Sequence, residues 1–157
     1  MTNADYNLLE SQLVALIGDE TDALANASNF VALLYNAMND VNWLGIYVLR
    51  GDELVLGPFQ GKPACVRIAI GDGVCGSAAA TLDTQRVPDV HAFPGHIVCD
   101  ADSRSELVVP LLIENRLVGV LDIDSPSVDR FSAADQAGIE SLCSAYCGLQ
   151  SRLAGFI

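Results

Sequence analysis

The sequence has few basic side chains. It contains eight Lys and Arg against twenty Asp and Glu, and the basic residues are scattered singly along the chain. The net charge of −12 repels nucleic acid and anionic membrane surfaces. We therefore expect neither nucleic acid nor a membrane among the partners of this protein.

Long apolar runs and targeting signals are also lacking. No run of apolar residues approaches the ~18 that a membrane span needs. The acidic N-terminus lacks the positive region and the cleavage pattern of a signal peptide. These absences predict a cytoplasmic protein, in a compartment that keeps thiols reduced. The odd count of five cysteines argues against a purely structural disulfide framework, so a disulfide here is expected to be transient.

The sequence does contain the composition of one well-packed domain. Its 157 residues are 51% hydrophobic and 18% charged, which suits a globular fold. We expect an α+β domain with helices in residues 1–40, a central antiparallel sheet with its loops in 41–125, and a C-terminal helix in 131–154. The terminal helices are expected on one face of the sheet and a pocket with loops on the other.

Two early segments show helical periodicity. Leu8, Leu9, Leu13 and Leu16 mark the apolar stripe of the first, from about Asp5 to Ile17. The second runs from about Asp22 to Met38, and its expected apolar face is formed by Leu24, Ala27, Val31, Leu34 and Tyr35. Such helices cover a sheet face or form a dimer contact, so a homodimer is one possible assembly.

The stretch from residue 61 to residue 106 concentrates thiols. It carries Cys65, Cys75 and Cys99, together with both histidines of the chain, and it is punctuated by Gly, Pro and Asp. Reactive thiols and small buried side chains are both consistent with this pattern. Cys75 falls in the first turn of a short helix predicted at 74–81, where unpaired amides favour a thiolate. The last two cysteines, Cys143 and Cys147, are predicted to pack in the core.

Two strand patterns suggest a pocket without establishing one. Alternation in the strand at 42–49 puts Trp43, Gly45 and Tyr47 on one face. These aromatic side chains either line a pocket or cover a helix. Asp122 and Asp124 share a face at the end of an apolar strand, where carboxylates are costly unless paired, hydrogen-bonded or protonated. The alternative is a strand end that meets water.

Four stretches together resemble a known family. NWLGIY, LGPFQGKPACVRIAIGDGVCG, FPGHIVCDADSRSELVVPL and GVLDIDSP are similar to the free methionine-(R)-sulfoxide reductases, which consist of a single GAF domain. The resemblance runs from about Asn39 to Cys143. It implies a GAF-like fold and a reductase that converts free methionine-(R)-sulfoxide to methionine, with thioredoxin as the reductant and with neither a cofactor nor a metal.

The resemblance also implies roles for individual residues. Cys99 matches the cysteine that attacks the sulfoxide sulfur, Cys65 the resolving cysteine that forms a disulfide with it, and Cys75 an auxiliary cysteine. Local reasoning from the helix start favours Cys75 as the most acidic thiol, whereas the resemblance favours Cys99 as the nucleophile. The implied catalytic set includes Glu106, and the implied substrate-binding set is Trp43, Tyr47, Glu106, Asp122 and Asp124.

Two other functions compete with the reductase. A GAF module can act as a non-catalytic sensor that binds a small ligand or senses redox state. A zinc site built from Cys65, Cys75, His96 and Cys99 is disfavoured, because no CxxC or second paired knuckle accompanies these residues.

Overall fold

A computed structural model describes residues 4–153, Gly155 and Ile157. Residues 1–3 of the expected helical N-terminus and Ala154, the expected limit of the C-terminal helix, lie outside the described residues. The helices are α1 (Tyr6–Ile17), α2 (Ala23–Ala37), α3 (Gly73–Thr81) and α4 (Ala133–Gln150), with a short 3-10 helix at Val90–Ala92. The strands are β1 (Trp43–Arg50), β2 (Glu53–Gln60), β3 (Arg67–Ala69), β4 (Gln85–Val87), β5 (Ser105–Ile113) and β6 (Arg116–Ser125).

The six strands form one antiparallel sheet in the order β3-β2-β1-β6-β5-β4. Two hairpins, β1–β2 and β5–β6, are joined through β1 and β6, which pair across the centre of the sheet. The turn at Gly51–Asp52 between β1 and β2 requires a positive φ of 64° at Gly51, which glycine adopts without strain. The expected α+β domain around an antiparallel sheet is confirmed.

The two faces of the sheet pack against different parts of the chain. One face packs Leu44, Ile46 and Val48 of β1 against α1, α2 and α4 in the main hydrophobic core. The other face carries Trp43 and Tyr47 and is covered by α3 and by loops. Strand alternation produces this division. The prediction of terminal helices on one face and a pocket with loops on the other is therefore confirmed.

The apolar faces of the first two helices differ from those expected. In α1 the buried residues are Leu9, Leu13 and Ile17, an i, i+4, i+8 stripe, whereas Leu8 and Leu16 are exposed. In α2 the exposed residue is Leu24, and the buried face is formed by Asn26, Ala27, Phe30, Val31 and Leu34. Both expected stripes were wrong in part, because apolar residues beside the packed face, such as Leu8, Leu16 and Leu24, stay exposed where no neighbouring element covers them. None of the helices in the described part of the chain is both long and apolar enough to cross a membrane.

A capping box opens α4, with Ser132 and Asp135 each bonding the backbone of the other. Cys143 and Cys147 are buried in the main core, as predicted. Strand β3 covers only Arg67–Ala69, so Cys65 lies in the segment that precedes it.

Candidate active site

A pocket opens on the sheet face opposite the terminal helices. Its floor is formed by β1, β6 and β5, and its walls are formed by the start of α3, the Cys65 segment (residues 61–66) and the Cys99 loop (residues 93–104). The space between its walls, including the open mouth, is about 540 Å³. Seven of the eight predicted site residues line it, namely Trp43, Tyr47, Cys75, Cys99, Glu106, Asp122 and Asp124.

The acids of the pocket come together through strand register. Asp124 on β6 pairs with Trp43 on β1 and with Glu106 on β5, so these three residues form one row across the sheet. The next row on the same face pairs Gly45 with Asp122. The sequence pattern put Asp122 and Asp124 on one face, but only the pairing of β5 with β6 brings Glu106 beside them.

Burial raises the pKa values of all three acids, and repulsion by neighbouring carboxylates adds to the effect at Glu106 and Asp124. The pKa of Glu106 is raised well above its usual value by burial and then by the charges of Asp122 and Asp124. Burial first, and then the negative charges of Asp122 and Asp100, raise the pKa of Asp124 well above its usual value. Burial raises the pKa of Asp122 to about 6. At neutral pH the pocket therefore holds protonated carboxylic acids beside one carboxylate.

Asp122 is also incompletely satisfied. It is buried, and among the described residues its Oδ1 atom has no hydrogen-bond partner. A buried polar atom without a partner costs about 1–3 kcal/mol. An unpaired carboxylate oxygen at the floor of a pocket is suited to receive a cationic or hydrogen-bond-donating group of a ligand.

Cys75 does not have the acidic thiol that its helix position predicts. It is buried, and its Sγ atom lies 4.0 Å from Oε1 of Glu106. Burial first, and then the charges of Asp122 and Glu106, raise the pKa of this thiol well above its usual value. The helix terminus favours a thiolate by only about 0.3–1 kcal/mol, so burial beside acids outweighs it. The prediction of a thiolate at Cys75 was wrong.

Cys65 and Cys99 form a disulfide. They are separated by 34 residues in sequence, and their Cα atoms are 5.5 Å apart. The pairing implied by the family resemblance is therefore present in the fold. Both residues are partly exposed, which distinguishes them from the three buried free cysteines, Cys75, Cys143 and Cys147.

The aromatic pair of the pocket also holds the Cys65 segment. The hydroxyl of Tyr47 donates to the carbonyl oxygen of Cys65 at 2.8 Å, and Nε1 of Trp43 donates to the carbonyl oxygen of Lys62 at 3.0 Å. Nζ of Lys62 in turn pairs with Asp102 of the Cys99 loop at 2.6 Å. These hydrogen bonds could not be predicted from the sequence. Each joins a side chain to a backbone carbonyl 18 or 19 residues away, and such a contact produces no local sequence pattern.

Of the two interpretations of Trp43 and Tyr47, the structure supports the pocket. The Trp43 ring stacks between Phe59, at 5.4 Å between centroids, and Tyr47, at 5.9 Å. It lies over Gly45, where an added Cβ would come within 2.5 Å of the indole. The glycine therefore permits the ring to lie flat along the strand. Phe59, which sequence reasoning did not select, completes the stack.

Two groups of side chains are relevant to the question of a bound metal. Cys65 and Cys99, two members of the disfavoured zinc hypothesis, are joined to each other and offer no thiolate in this form. One ligand atom each from Cys75, Glu106 and Asp122 lies within 4.8 Å of the others. These three groups are close enough to share a proton or a cation, and their raised pKa values favour the proton.

The chain is similar in sequence and in structure to several known proteins. The model of the GAF domain matches residues 11–146. The chain is 52% identical to the free methionine-R-sulfoxide reductase of Escherichia coli, over 89% of this chain and 81% of the relative. The structure resembles that of fRMsr of Staphylococcus aureus in complex with substrate, at 46% identity and a TM-score of 0.90 over 95% of this chain and 97% of the other. It also resembles the free methionine-R-sulfoxide reductase of Neisseria meningitidis in complex with its substrate, at 41% identity and a TM-score of 0.91 over 97% of this chain and 94% of the other.

Proposed function

The chain belongs to the GAF-domain family of free methionine-R-sulfoxide reductases, and from that premise we propose that it reduces free L-methionine-(R)-sulfoxide to L-methionine. The observation that carries this proposal is the Cys65–Cys99 disulfide at the wall of a pocket floored by three carboxyl groups. A redox-active pair beside a ligand pocket suits a thiol reductase. We propose that one GAF domain, spanning the whole chain, performs the reaction.

In the proposed complex the pocket recognises a free amino acid. The ammonium group of the substrate pairs with a carboxylate at the pocket floor, for which Asp122 is suited because its Oδ1 atom lacks a partner among the described residues. A methionine inside a peptide has no ammonium group there, so the buried charge would stay unpaired. The indole of Trp43 packs on the S-methyl group, a contact worth up to ~1.5 kcal/mol.

The first chemical step is an attack by Cys99. Its thiolate attacks the sulfoxide sulfur, and a protonated carboxyl, for which we assign Glu106, donates a proton to the oxygen. The raised pKa of Glu106 keeps that proton available at neutral pH. The hydroxyl then moves from the substrate sulfur to Sγ of Cys99 as the bond between the two sulfurs breaks. Methionine leaves, Cys99 is oxidised to a sulfenic acid, and the sulfur of the substrate is reduced by two electrons.

The second step is resolution by Cys65. The thiol of Cys65 attacks the sulfenic sulfur of Cys99, a disulfide forms and water leaves. A Cα separation of 5.5 Å suits this bond without a large backbone movement. In this scheme Cys75 stays a protonated thiol beside Glu106, an auxiliary position rather than that of a nucleophile.

Recycling requires an external dithiol. We propose thioredoxin as the reductant, which restores both thiols by exchange. The cycle needs a compartment that supplies dithiols, and we therefore propose that the protein works in the cytoplasm.

Turnover on defined substrates tests the proposal. Purified protein with dithiothreitol is given free methionine-(R)-sulfoxide, the free (S) epimer, or a peptide that contains the (R)-sulfoxide, and methionine formation is followed by chromatography. We expect multiple turnovers with the free (R) epimer only. A GAF sensor would bind the ligand and release no methionine, so absence of turnover with the free (R) epimer would overturn the proposal in favour of the sensor.

We also propose a homodimer. Leu8, Val14 and Leu16 of α1 are exposed large apolar side chains on a helix that already packs against α4. Covering such residues with a second copy removes apolar surface from water. Sedimentation of the purified protein should give twice the chain mass, and a monomer mass that Leu16→Lys leaves unchanged would contradict the proposal.

A further inference from the structure

Two exposed valines flank the disulfide. Val66 follows Cys65 and Val98 precedes Cys99, and they are 59% and 62% exposed. Successive Cα atoms are ~3.8 Å apart, so with the cysteine Cα atoms 5.5 Å apart the two valine Cα atoms lie within about 13 Å of each other. We call Val66 and Val98 the apolar rim. Single exposed apolar residues are ordinary, but here each cysteine of one redox-active bond has an exposed valine as its immediate neighbour.

Two ion pairs lie close in sequence to the apolar rim. Lys62 bonds to Asp102, and Arg67 bonds to Glu53. Asp100, next to Cys99, lines the pocket and adds one acidic group. In a chain of net charge −12, the segments beside the disulfide thus carry two exposed valines and two neutralised basic residues. A partner that docks by apolar contact, rather than by charge, fits this surface.

The two sulfurs of the disulfide are placed differently. Among the described residues, Cys99 belongs to the pocket lining and Cys65 does not. Two hydrogen bonds hold the backbone at residues 65 and 66: the hydroxyl of Tyr47 donates to the carbonyl of Cys65, and the amide of Leu56 donates to the carbonyl of Val66 at 2.9 Å. Cys65 is partly exposed, so a nucleophile can approach it from solvent without entering the pocket that Cys99 lines.

We propose that the apolar rim is the docking surface for a dithiol reductase of the thioredoxin kind, and that the reductase attacks Cys65. This proposal rests on the proposed function. The partner's thiolate forms a bond to Sγ of Cys65, the Cys65–Cys99 bond breaks, and its electron pair leaves on Cys99 as a thiolate. The partner's second thiol then attacks the mixed disulfide, gives up its proton to solvent and releases Cys65, which takes up a proton. The partner is oxidised to its disulfide and supplies both electrons.

A protein reductant is the occupant that the position of the rim favours. The attacking sulfur must reach bonding distance of Cys65, so the surface around it necessarily contacts the residues beside that cysteine. A second copy of this chain seated on the rim would instead cover the bond that each turnover must reopen.

Substitution of the rim tests this surface. Val66→Ser, Val98→Ser and the double variant are compared with Val128→Ser, a matched control in the turn after β6, where Val128 is 47% exposed and is not among the described residues that line the pocket. Methionine release at saturating substrate is measured with increasing thioredoxin, and separately with dithiothreitol. Removing the apolar groups of one valine from the contact predicts a loss of about tenfold in kcat/KM for thioredoxin in each single variant. Turnover with dithiothreitol should be unchanged, because neither Val66 nor Val98 is among the described residues whose side chains line the pocket.

Each other result overturns the docking surface. Equal turnover of all variants with thioredoxin means that the partner docks elsewhere, and equal losses with both reductants mean that the valines act in substrate chemistry. A change in sedimenting mass in the double variant means that the rim contacts a second copy. If the wild-type protein forms no methionine even with dithiothreitol, the proposed function itself fails, which is a distinguishable result.

Trapping identifies the attacked sulfur. Thioredoxin whose second active-site cysteine is replaced by Ser is mixed with the oxidised protein, and the mixed disulfide is mapped by peptide mass. We expect the linkage at Cys65, and linkage at Cys99 would overturn the assignment. Because the trap starts from the disulfide form and needs no sulfoxide, it reads out the exchange step separately from catalysis.

Discussion

Replacement of Asp122 by Asn should make the protein more stable and less active. Asp122 is buried, its pKa is raised to about 6 by burial, and its Oδ1 atom lacks a partner among the described residues. Asn has nearly the same shape and does not ionise. The substitution therefore removes a buried charge while it keeps a polar group in contact with the neighbouring acids.

The size of the stability gain and its pH dependence follow from the raised pKa of Asp122. A carboxyl binds its proton more tightly in the folded state when its folded pKa is raised, so the free energy of unfolding falls as pH rises from about 4 to about 6. A shift of about two units at ~1.4 kcal/mol per unit gives a loss of ~3 kcal/mol above pH 6. The Asp122→Asn variant does not lose this stability, because Asn does not ionise. From the shift of Asp122 alone, its gain at pH 8 is up to ~3 kcal/mol, and removal of the charge that raises the pKa values of Glu106 and Asp124 acts in the same direction.

Urea unfolding at pH 5 and pH 8 measures the effect, with both proteins in the disulfide form. We expect the stability of Asp122→Asn to exceed that of the wild type by about 1–3 kcal/mol at pH 8 and by clearly less at pH 5. Asp52→Asn, in the exposed turn after β1, is the matched control and should change stability at neither pH. A variant with no advantage at pH 8, or with the same advantage at both pH values, would refute the account of Asp122 as a buried charge. Methionine release should fall at least tenfold in the same variant, because the substrate ammonium group loses its partner.

Three further substitutions separate the steps of the proposed cycle. Cys65→Ser should release about one methionine per chain and then stop with thioredoxin as reductant; sustained turnover with thioredoxin would contradict resolution by Cys65. Tyr47→Phe removes a hydrogen bond worth ~0.5–1.5 kcal/mol from the Cys65 carbonyl, so disulfide formation should slow about 2- to 12-fold and more sulfenic acid should be trapped by dimedone; unchanged trapping would show that the bond does not position Cys65. Glu106→Gln should lower kcat by about 10²-fold or more through loss of the proton donor, measured as methionine formed per second, and a kcat near that of the wild type would remove Glu106 from that role.

Much of the architecture could be predicted because it depends on local pattern. The alternation around Gly45 gives the face of Trp43 and Tyr47, and the Ser132–Asp135 spacing gives the start of α4. The helix faces were predicted less well. Leu8 and Leu24 are apolar residues near helix starts, and which apolar residue is buried depends on where the neighbouring helix lies, information that a single helix does not carry.

The site could be predicted only in part. Cys75 stands at a helix start, which by itself favours a thiolate, yet strand pairing places Glu106 and Asp122 against it and burial reverses the direction of the pKa shift. The approach of Cys65 to Cys99 is a tertiary contact across 34 residues, and it entered the sequence analysis only through the family resemblance. The bond from Tyr47 to the Cys65 carbonyl had no sequence signal at all.

The most direct test of the thiol cycle is a single turnover without reductant. Fully reduced protein is mixed with excess free methionine-(R)-sulfoxide, and methionine, free thiols and linked peptides are quantified in the same sample. We predict one methionine per chain, the loss of two thiols, and one new linked peptide pair that joins Cys65 to Cys99. Methionine formed while Cys65 and Cys99 stay reduced, or no methionine at all, would contradict the account.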